Sequence, residues 1–117
     1  MSDIQKLTDQ IVAFSKERDW LQFHNPKDLA ESIIIEAAEL LEHFQWKSKD
    51  EAIRHVKNKQ VDVADELADV MIYTLELAYQ MKVDVRKAIE DKLAKNAVKY
   101  PVTKSKGNAK KYTELTE

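Results

Sequence analysis

One glycine, Gly107, and two prolines, Pro26 and Pro101, serve a chain of 117 residues. That scarcity decides the class of fold. The tight turns that join strands need positive φ or a preset φ, and glycine and proline are the residues that supply them. A chain nearly devoid of both, with few β-branched runs and 34% charged residues, is expected to be all-α. Its length suits one domain of ordinary size, whose high surface fraction favours oligomerisation.

Apolar spacing places the helices. Ile4, Leu7, Ile11, Val12 and Phe14 recur at helical intervals and predict a first helix over about residues 3 to 18, ending near Asp19-Trp20. Leu21 to Pro26 reads as a loop, because a residue before proline avoids helix and Pro26 suits a first helical turn. A second helix is expected from there to about Trp46. Ser48 with Glu51 three residues on forms a capping-box pattern for a short polar helix through about Val56. A third long helix is expected over about Lys59 to Met81, and a fourth over about Asp84 to Lys99, stopped by Tyr100-Pro101. The expected architecture is a four-helix bundle with a short extra helix and a basic C-terminal tail.

The absence of cysteine excludes disulfides, thiolate nucleophiles and cysteine-based metal centres. No apolar run approaches the roughly 20 residues of a membrane span, and the first residues lack the basic and apolar regions of a signal peptide. A soluble cytoplasmic protein without a membrane partner is expected.

Two windows, Asp28 to Trp46 and Val61 to Met81, contain no lysine or arginine. The first holds Glu36 and Glu39; the second holds Asp62, Asp65, Glu66 and Asp69. Acids on an ordinary solvated helix face are interleaved with bases, since like charges at i,i+4 are unfavourable. At 100° per residue, Ser32, Glu36, Glu39 and His43 fall within a stripe roughly 60° wide. Ile33 and Leu40 border it on one side, Ile35 and Trp46 on the other. On the third helix Asp62, Asp65, Glu66, Asp69, Tyr73 and Glu76 share a band of about 100°. Nearly everything else on that helix is apolar, so it is expected to be buried on most sides.

A solvated face explains either acid pair alone. Two base-free pairs bordered by apolar surface are harder to explain that way, because side-by-side burial costs several kcal/mol per uncompensated charge. Protons or a divalent cation would relieve it. Oxygen-only ligands suit Mg²⁺ or Mn²⁺, and Mg²⁺ typically keeps waters and is shared with substrate phosphates. Residues 82–111 carry ten lysines and arginines against three acids, a net +7. A small anionic ligand fits that charge map better than a nucleic acid, which an acidic site nearby would repel. A di-iron bundle needs Glu-x-x-His on two helices, and no such pair exists. A non-catalytic helical interaction module remains the alternative, although it gives no reason for two base-free acid stripes.

The strings Glu-Arg-Asp-Trp-Leu-Gln-Phe-His-Asn-Pro (17–26), Glu-Ala-Ala-Glu-Leu (36–40), Phe-Gln-Trp (44–46), Asp-Glu-Leu-Ala-Asp-Val-Met-Ile-Tyr (65–73), Tyr-Pro-Val (100–102) and Lys-Tyr-Thr-Glu-Leu (111–115) carry a resemblance. They are similar to the all-α nucleoside triphosphate pyrophosphohydrolases of the MazG type, most closely the dCTP pyrophosphatase branch. The resemblance implies Mg²⁺-dependent hydrolysis of a nucleoside triphosphate, dCTP or a modified dCTP, to monophosphate and pyrophosphate, with another deoxynucleotide as the alternative substrate. It makes Glu36, Glu39, Glu66 and Asp69 the metal ligands; in such a hydrolysis a carboxylate not fully engaged by metal would accept the water's proton, Glu39 first and Glu36 second. The resemblance sets Trp20, His24, Trp46 and Tyr73 around the nucleoside, and Lys92 and Asn96 at the triphosphate. Lys111 and Tyr112 lie in a flexible basic tail, 104–117, that would close over a catalytic domain of residues 1–103, in its own or a neighbouring subunit. The near-continuous apolar surface of the third long helix suggests a homodimer, and the resemblance implies a homotetramer. Asp62 and Asp65 lie outside the family pattern, and a second metal site, a water-orienting role and plain solvation stay open for them. Without the resemblance, core packing accounts for Trp20, Trp46 and Tyr73, and His43 reads as a supporting or structural residue.

Overall fold

The structure, a computed structural model, describes residues 2–115, and every described element is helical. It comprises α1 (Asp3–Glu17), α2 (Pro26–Glu42), α3 (Lys49–Asn58), α4 (Gln60–Met81), α5 (Val85–Lys99) and α6 (Val102–Ser105), with single 3₁₀ turns at Leu21–Phe23 and Tyr112–Glu114. The chain divides into two compact units, Met1–Val83 and Asp84–Glu117.

Helices α1, α2, α3 and α5 start where the sequence supplies a cap, whereas α4 starts at Lys59 without a side-chain cap. Ser2, Asn25, Ser48 and Asp84 accept from the backbone N–H three residues on, and Ser48 and Glu51 complete the expected capping box. Pro26 occupies the first turn of α2, where its missing N–H costs nothing. Lys59 ends α3 and starts α4, so only one non-helical residue separates them.

The helix ends show how the chain manages with one glycine. Asp19, Trp46 and Lys82 adopt positive φ, at 56°, 69° and 56°. After α1, Trp20 N donates to Ser15 O and Asp19 N to Lys16 O. After α4, Val83 N donates to Ala78 O and Lys82 N to Tyr79 O. Both are Schellman closures with a non-glycine residue in the left-handed position, at about 1–2 kcal/mol each.

Two expectations need correction. Helix α2 stops at Glu42, short of Trp46: the backbone tightens through Phe44 N to Leu41 O and Lys47 N to Phe44 O, and Trp46 turns left-handed. Helix α4, expected to be buried on most sides, is not. Helix α2 packs along it, α1 and α3 cover less of it, and Val61, Leu67, Met71 and Tyr79 stay exposed. The buried apolar core is correspondingly small, comprising Val12, Leu29, Leu75 and Ala78. No helix among the described residues is long and apolar enough to cross a membrane.

In the second unit, α5 carries i,i+4 pairs Arg86–Glu90 at 3.0 Å and Lys87–Asp91 at 2.8 Å. The chain beyond Pro101, read from the sequence as a tail, contains α6 and the turn at Tyr112–Glu114.

Candidate active site

Packing of α2 against α4 brings the two acid pairs together. One carboxylate oxygen from each of Glu36, Glu39 and Glu66 lies within 4.8 Å of the others. The i,i+3 spacing places Glu36 and Glu39 on one face of α2, and Glu66 faces them from α4. Asp69, one turn along α4, lies outside that convergence but close enough for its charge to act on both Glu36 and Glu66.

The electrostatics are those of a crowded anion cluster. Glu36 is pushed from 4.5 up to about 7, first by burial, then by a hydrogen bond and charge from Glu39, then by Asp69 and Glu66. Glu66 is raised by burial, by a hydrogen bond to Glu39 and by the charges of Glu39 and Asp69, with His43 opposing. Like charges crowded into a part-buried site disfavour the ionised forms of Glu36 and Glu66. Glu36 Oε2 and Glu66 Oε2 are buried with no hydrogen-bond partner, and such orphans call for an ion or water.

These residues fit a hard divalent cation. Ligand oxygens stand about 2.0–2.1 Å from Mg²⁺, so oxygens around one ion lie within roughly 4.2 Å of each other and small side-chain rotations would close the cluster. The cation would also remove the penalty that raises the two glutamates, because its charge reverses the local field.

Beside the cluster, a cavity of about 410 Å³ is lined by Gln10, Ile11, Phe14, Ser15, Trp20, His24, Asp69, Ile72, Tyr73 and Glu76. Three of the four residues expected around a nucleoside, Trp20, His24 and Tyr73, thus meet in one place, and Asp69 joins that place to the acids. Trp20 is held edge-on to Phe14, ring centroids 5.7 Å apart, and the Arg18 guanidinium lies 3.6 Å over the other ring's centroid. Burial, then the charges of Glu36, Glu76 and Asp69, raise the Tyr73 phenol, which keeps it a hydrogen-bond donor. Trp46, 93% exposed, lines no part of this cavity.

A second, polar cavity is lined by Glu39, Glu42, His43, Lys47, His55 and Glu66. There His43 Nδ1 and His55 Nε2 stand 2.9 Å apart, so one ring donates to the other. Burial, then Lys47, His43 and Lys59, lowers His55. Asp62 lies away from the acid convergence, beside Lys57 and Lys59.

Residues 32–115 match the MazG-like family. The chain belongs to that family. This MazG-like chain is 39% identical to dCTP pyrophosphatase 1 of Mus musculus and 36% identical to dCTP pyrophosphatase 1 of Homo sapiens, in each case over 98% of this chain and 67% of the relative. A crystal structure of a pyrophosphatase from Archaeoglobus fulgidus DSM 4304 superposes with a TM-score of 0.82 at 41% identity, over 86% of this chain and 94% of that one.

Within the MazG-like chain, Lys92, Asn96, Lys111 and Tyr112 all belong to the second unit. Lys92 and Asn96 share a face of α5 at i,i+4, with Lys92 exposed and Asn96 half-buried. Tyr112 packs edge-on against Tyr100 at 6.1 Å, under Lys99 Nζ at 4.8 Å. Sequence reasoning passed over the contribution of α1 to the cavity, Gln10, Ile11, Phe14 and Ser15, and over Ser15 most of all. It placed Glu76 on the acid band of α4 but gave it no role. The signal for Glu76 was available: an acid in a base-free window, on the face shared by Glu66, Asp69 and Tyr73.

Proposed function

We propose that this nucleoside triphosphate pyrophosphatase hydrolyses dCTP or a modified dCTP to the monophosphate and pyrophosphate with Mg²⁺, or Mn²⁺ in its place. The observation that carries the reading is the convergence of Glu36, Glu39 and Glu66, with buried, unpartnered oxygens on Glu36 and Glu66. The aromatic cavity reached through Asp69 supports it. Its metal ligands are Glu36, Glu39, Glu66 and Asp69. A bound divalent ion there supplies neutralisation of phosphate charge and a more acidic water.

The chain's own residues do the rest. Trp20 and Tyr73 flank the base, with His24 beside them, and hold the α-phosphorus towards the acids. A water attacks that phosphorus, the bond to the oxygen bridging to the β-phosphorus breaks, and pyrophosphate leaves. Glu39, or failing it Glu36, accepts the water's proton. Lys92 and Asn96, with Lys111 and Tyr112 of a basic segment spanning 104–117, stabilise charge on the departing pyrophosphate. On this reading residues 1–103 are the catalytic part, the protein is cytoplasmic, and Trp46 meets the nucleoside only where a neighbouring subunit supplies it.

Assembly as a homodimer or homotetramer would cover Val61, Leu67 and Met71 of α4 and Ile34, Ile35 and Leu41 of α2, all at least half exposed in the single chain. Dimer or tetramer mass is expected in light scattering at micromolar concentration, and a monomer would refute it. For the activity, Glu39→Ala and Asp69→Ala should each cut pyrophosphate release from dCTP at saturating Mg²⁺ by about a hundredfold or more, as loss of a catalytic charge typically does. Near-wild-type turnover in either variant would rule the site out. A panel of triphosphates, with and without Mg²⁺, decides between dCTP and another deoxynucleotide. Absence of Mg²⁺-dependent nucleotide binding in calorimetry would favour a non-catalytic helical module.

A further inference from the structure

The cavity holds an acid for which phosphate hydrolysis has no use. Glu76 is 4% exposed and lies ten residues along α4 from Glu66. Its Oε1 accepts a 2.5 Å hydrogen bond from Ser15 Oγ, itself 2% exposed, across the α1–α4 interface. Its Oε2 stands 3.6 Å from His24 Nδ1, too long for a hydrogen bond. That nitrogen is itself buried without a partner. Both groups line the cavity that Trp20 and Tyr73 flank. A carboxylate tethered at one oxygen, beside an imidazole nitrogen with nothing to bond, is an unfinished hydrogen-bonding pair.

We infer that Glu76, held by Ser15 and flanked by His24, reads the edge of the base and selects one that carries an exocyclic amine beside an unprotonated ring nitrogen. This rests on the function proposed above and adds the residue that sets its substrate class. A carboxylate only accepts, so it pairs with an amine such as N4–H₂ of cytosine, while a protonated imidazole nitrogen donates to the adjacent N3. Adenine presents the same two groups, and the cavity volume does not exclude it. Uracil and thymine present the reverse, a carbonyl against the carboxylate and an N3–H against the imidazole donor. A site built to pair with a group rejects the analogue that lacks it far more strongly than an apolar pocket rejects a size change.

Glu76→Gln tests the inference, because it keeps the side-chain shape and an acceptor for Ser15 while giving the base edge a donor. Wild-type kcat/KM is expected to favour dCTP over dUTP by about a hundredfold or more, with dATP deciding between the two amine-bearing bases. In E76Q that ratio should fall at least about tenfold, with the change falling on KM more than on kcat. The deoxynucleoside triphosphate of pyrimidin-2-one, which is cytosine lacking only the amine, should be a poor substrate for the wild type and should lose little further in E76Q. An unchanged dCTP to dUTP ratio with a uniform drop in turnover would overturn the inference and leave Glu76 as a strut between α1 and α4. Calorimetry with dCMP and dUMP separates the two claims. If no triphosphate yields pyrophosphate, the proposed hydrolysis falls, but tighter binding of dCMP that E76Q abolishes still supports base reading, and equal binding refutes it.

Discussion

Removing one negative charge from the acid cluster should stabilise the metal-free protein, and the pH dependence of the gain is set by Glu36. Its carboxyl is raised from 4.5 to about 7 in the folded chain. A raised acid holds its proton more tightly when folded, so it imposes no penalty below pH 4.5. The penalty grows between pH 4.5 and 7, and above that it is complete. The full shift would correspond to a ceiling of about 3 kcal/mol. Glu36 is only partly buried, and solvent screening lowers this to roughly 1–2 kcal/mol. Glu36→Gln should therefore raise Tm at pH 8 in EDTA by about 4–8 °C for a domain of this size, with little change at pH 4.5. Mg²⁺ should narrow or invert the gap at pH 8, because it binds the folded wild-type cluster and stabilises it by mass action. Thermal unfolding by circular dichroism at the two pH values, with EDTA and with Mg²⁺, measures all four terms. A metal-free E36Q that is less stable than wild type at pH 8, or a gap of equal size at both pH values, would refute the electrostatic account.

Trp20→Ala should raise KM for dCTP by roughly five- to 150-fold, the equivalent of about 1–3 kcal/mol of base stacking, measured by steady-state pyrophosphate release. An unchanged KM would remove the base from the cavity. Leu29, 1% exposed on α2, should cost about 2–5 kcal/mol as Leu29→Ala, read as a lower urea midpoint at unchanged m-value.

Helix class and the starts of α1, α2, α3 and α5 were legible because each depends on local chemistry: a cap at Ser2, Asn25, Ser48 or Asp84 is a statement about its own neighbours three residues on, whereas α4 starts without a side-chain cap and α6 lies in what reads as a tail. Ends were harder. No residue type announced that Trp46 would turn left-handed, since the tryptophan stands where glycine is the usual signal. The acid site was legible because base-free windows at helical spacing survive without a three-dimensional frame, and packing of α2 on α4 then did what the spacing asked. The cavity was only half legible. Trp20, His24 and Tyr73 stand out by chemistry, but Ser15 is an ordinary residue until Glu76, 61 positions away, is brought against it.

One helix aligns both ends of the proposed chemistry. Glu66, Asp69, Tyr73 and Glu76 follow one another along α4 at spacings of three, four and three residues, so they share a face over a rise of about 15 Å. The acids lie towards its N-terminal half and the base-reading residue towards its C-terminal half, a separation suited to a triphosphate and its nucleoside laid lengthwise. An α-helix does not stretch, so a substrate whose base fails to seat at Glu76 cannot be corrected by sliding without misplacing its α-phosphorus relative to Glu36 and Glu39. Thr74 Oγ1, which donates back to Val70 O at 2.7 Å, lies between the two ends, at a kind of contact that slightly bends helices. Base choice and hydrolysis are thus geometrically linked through α4 itself.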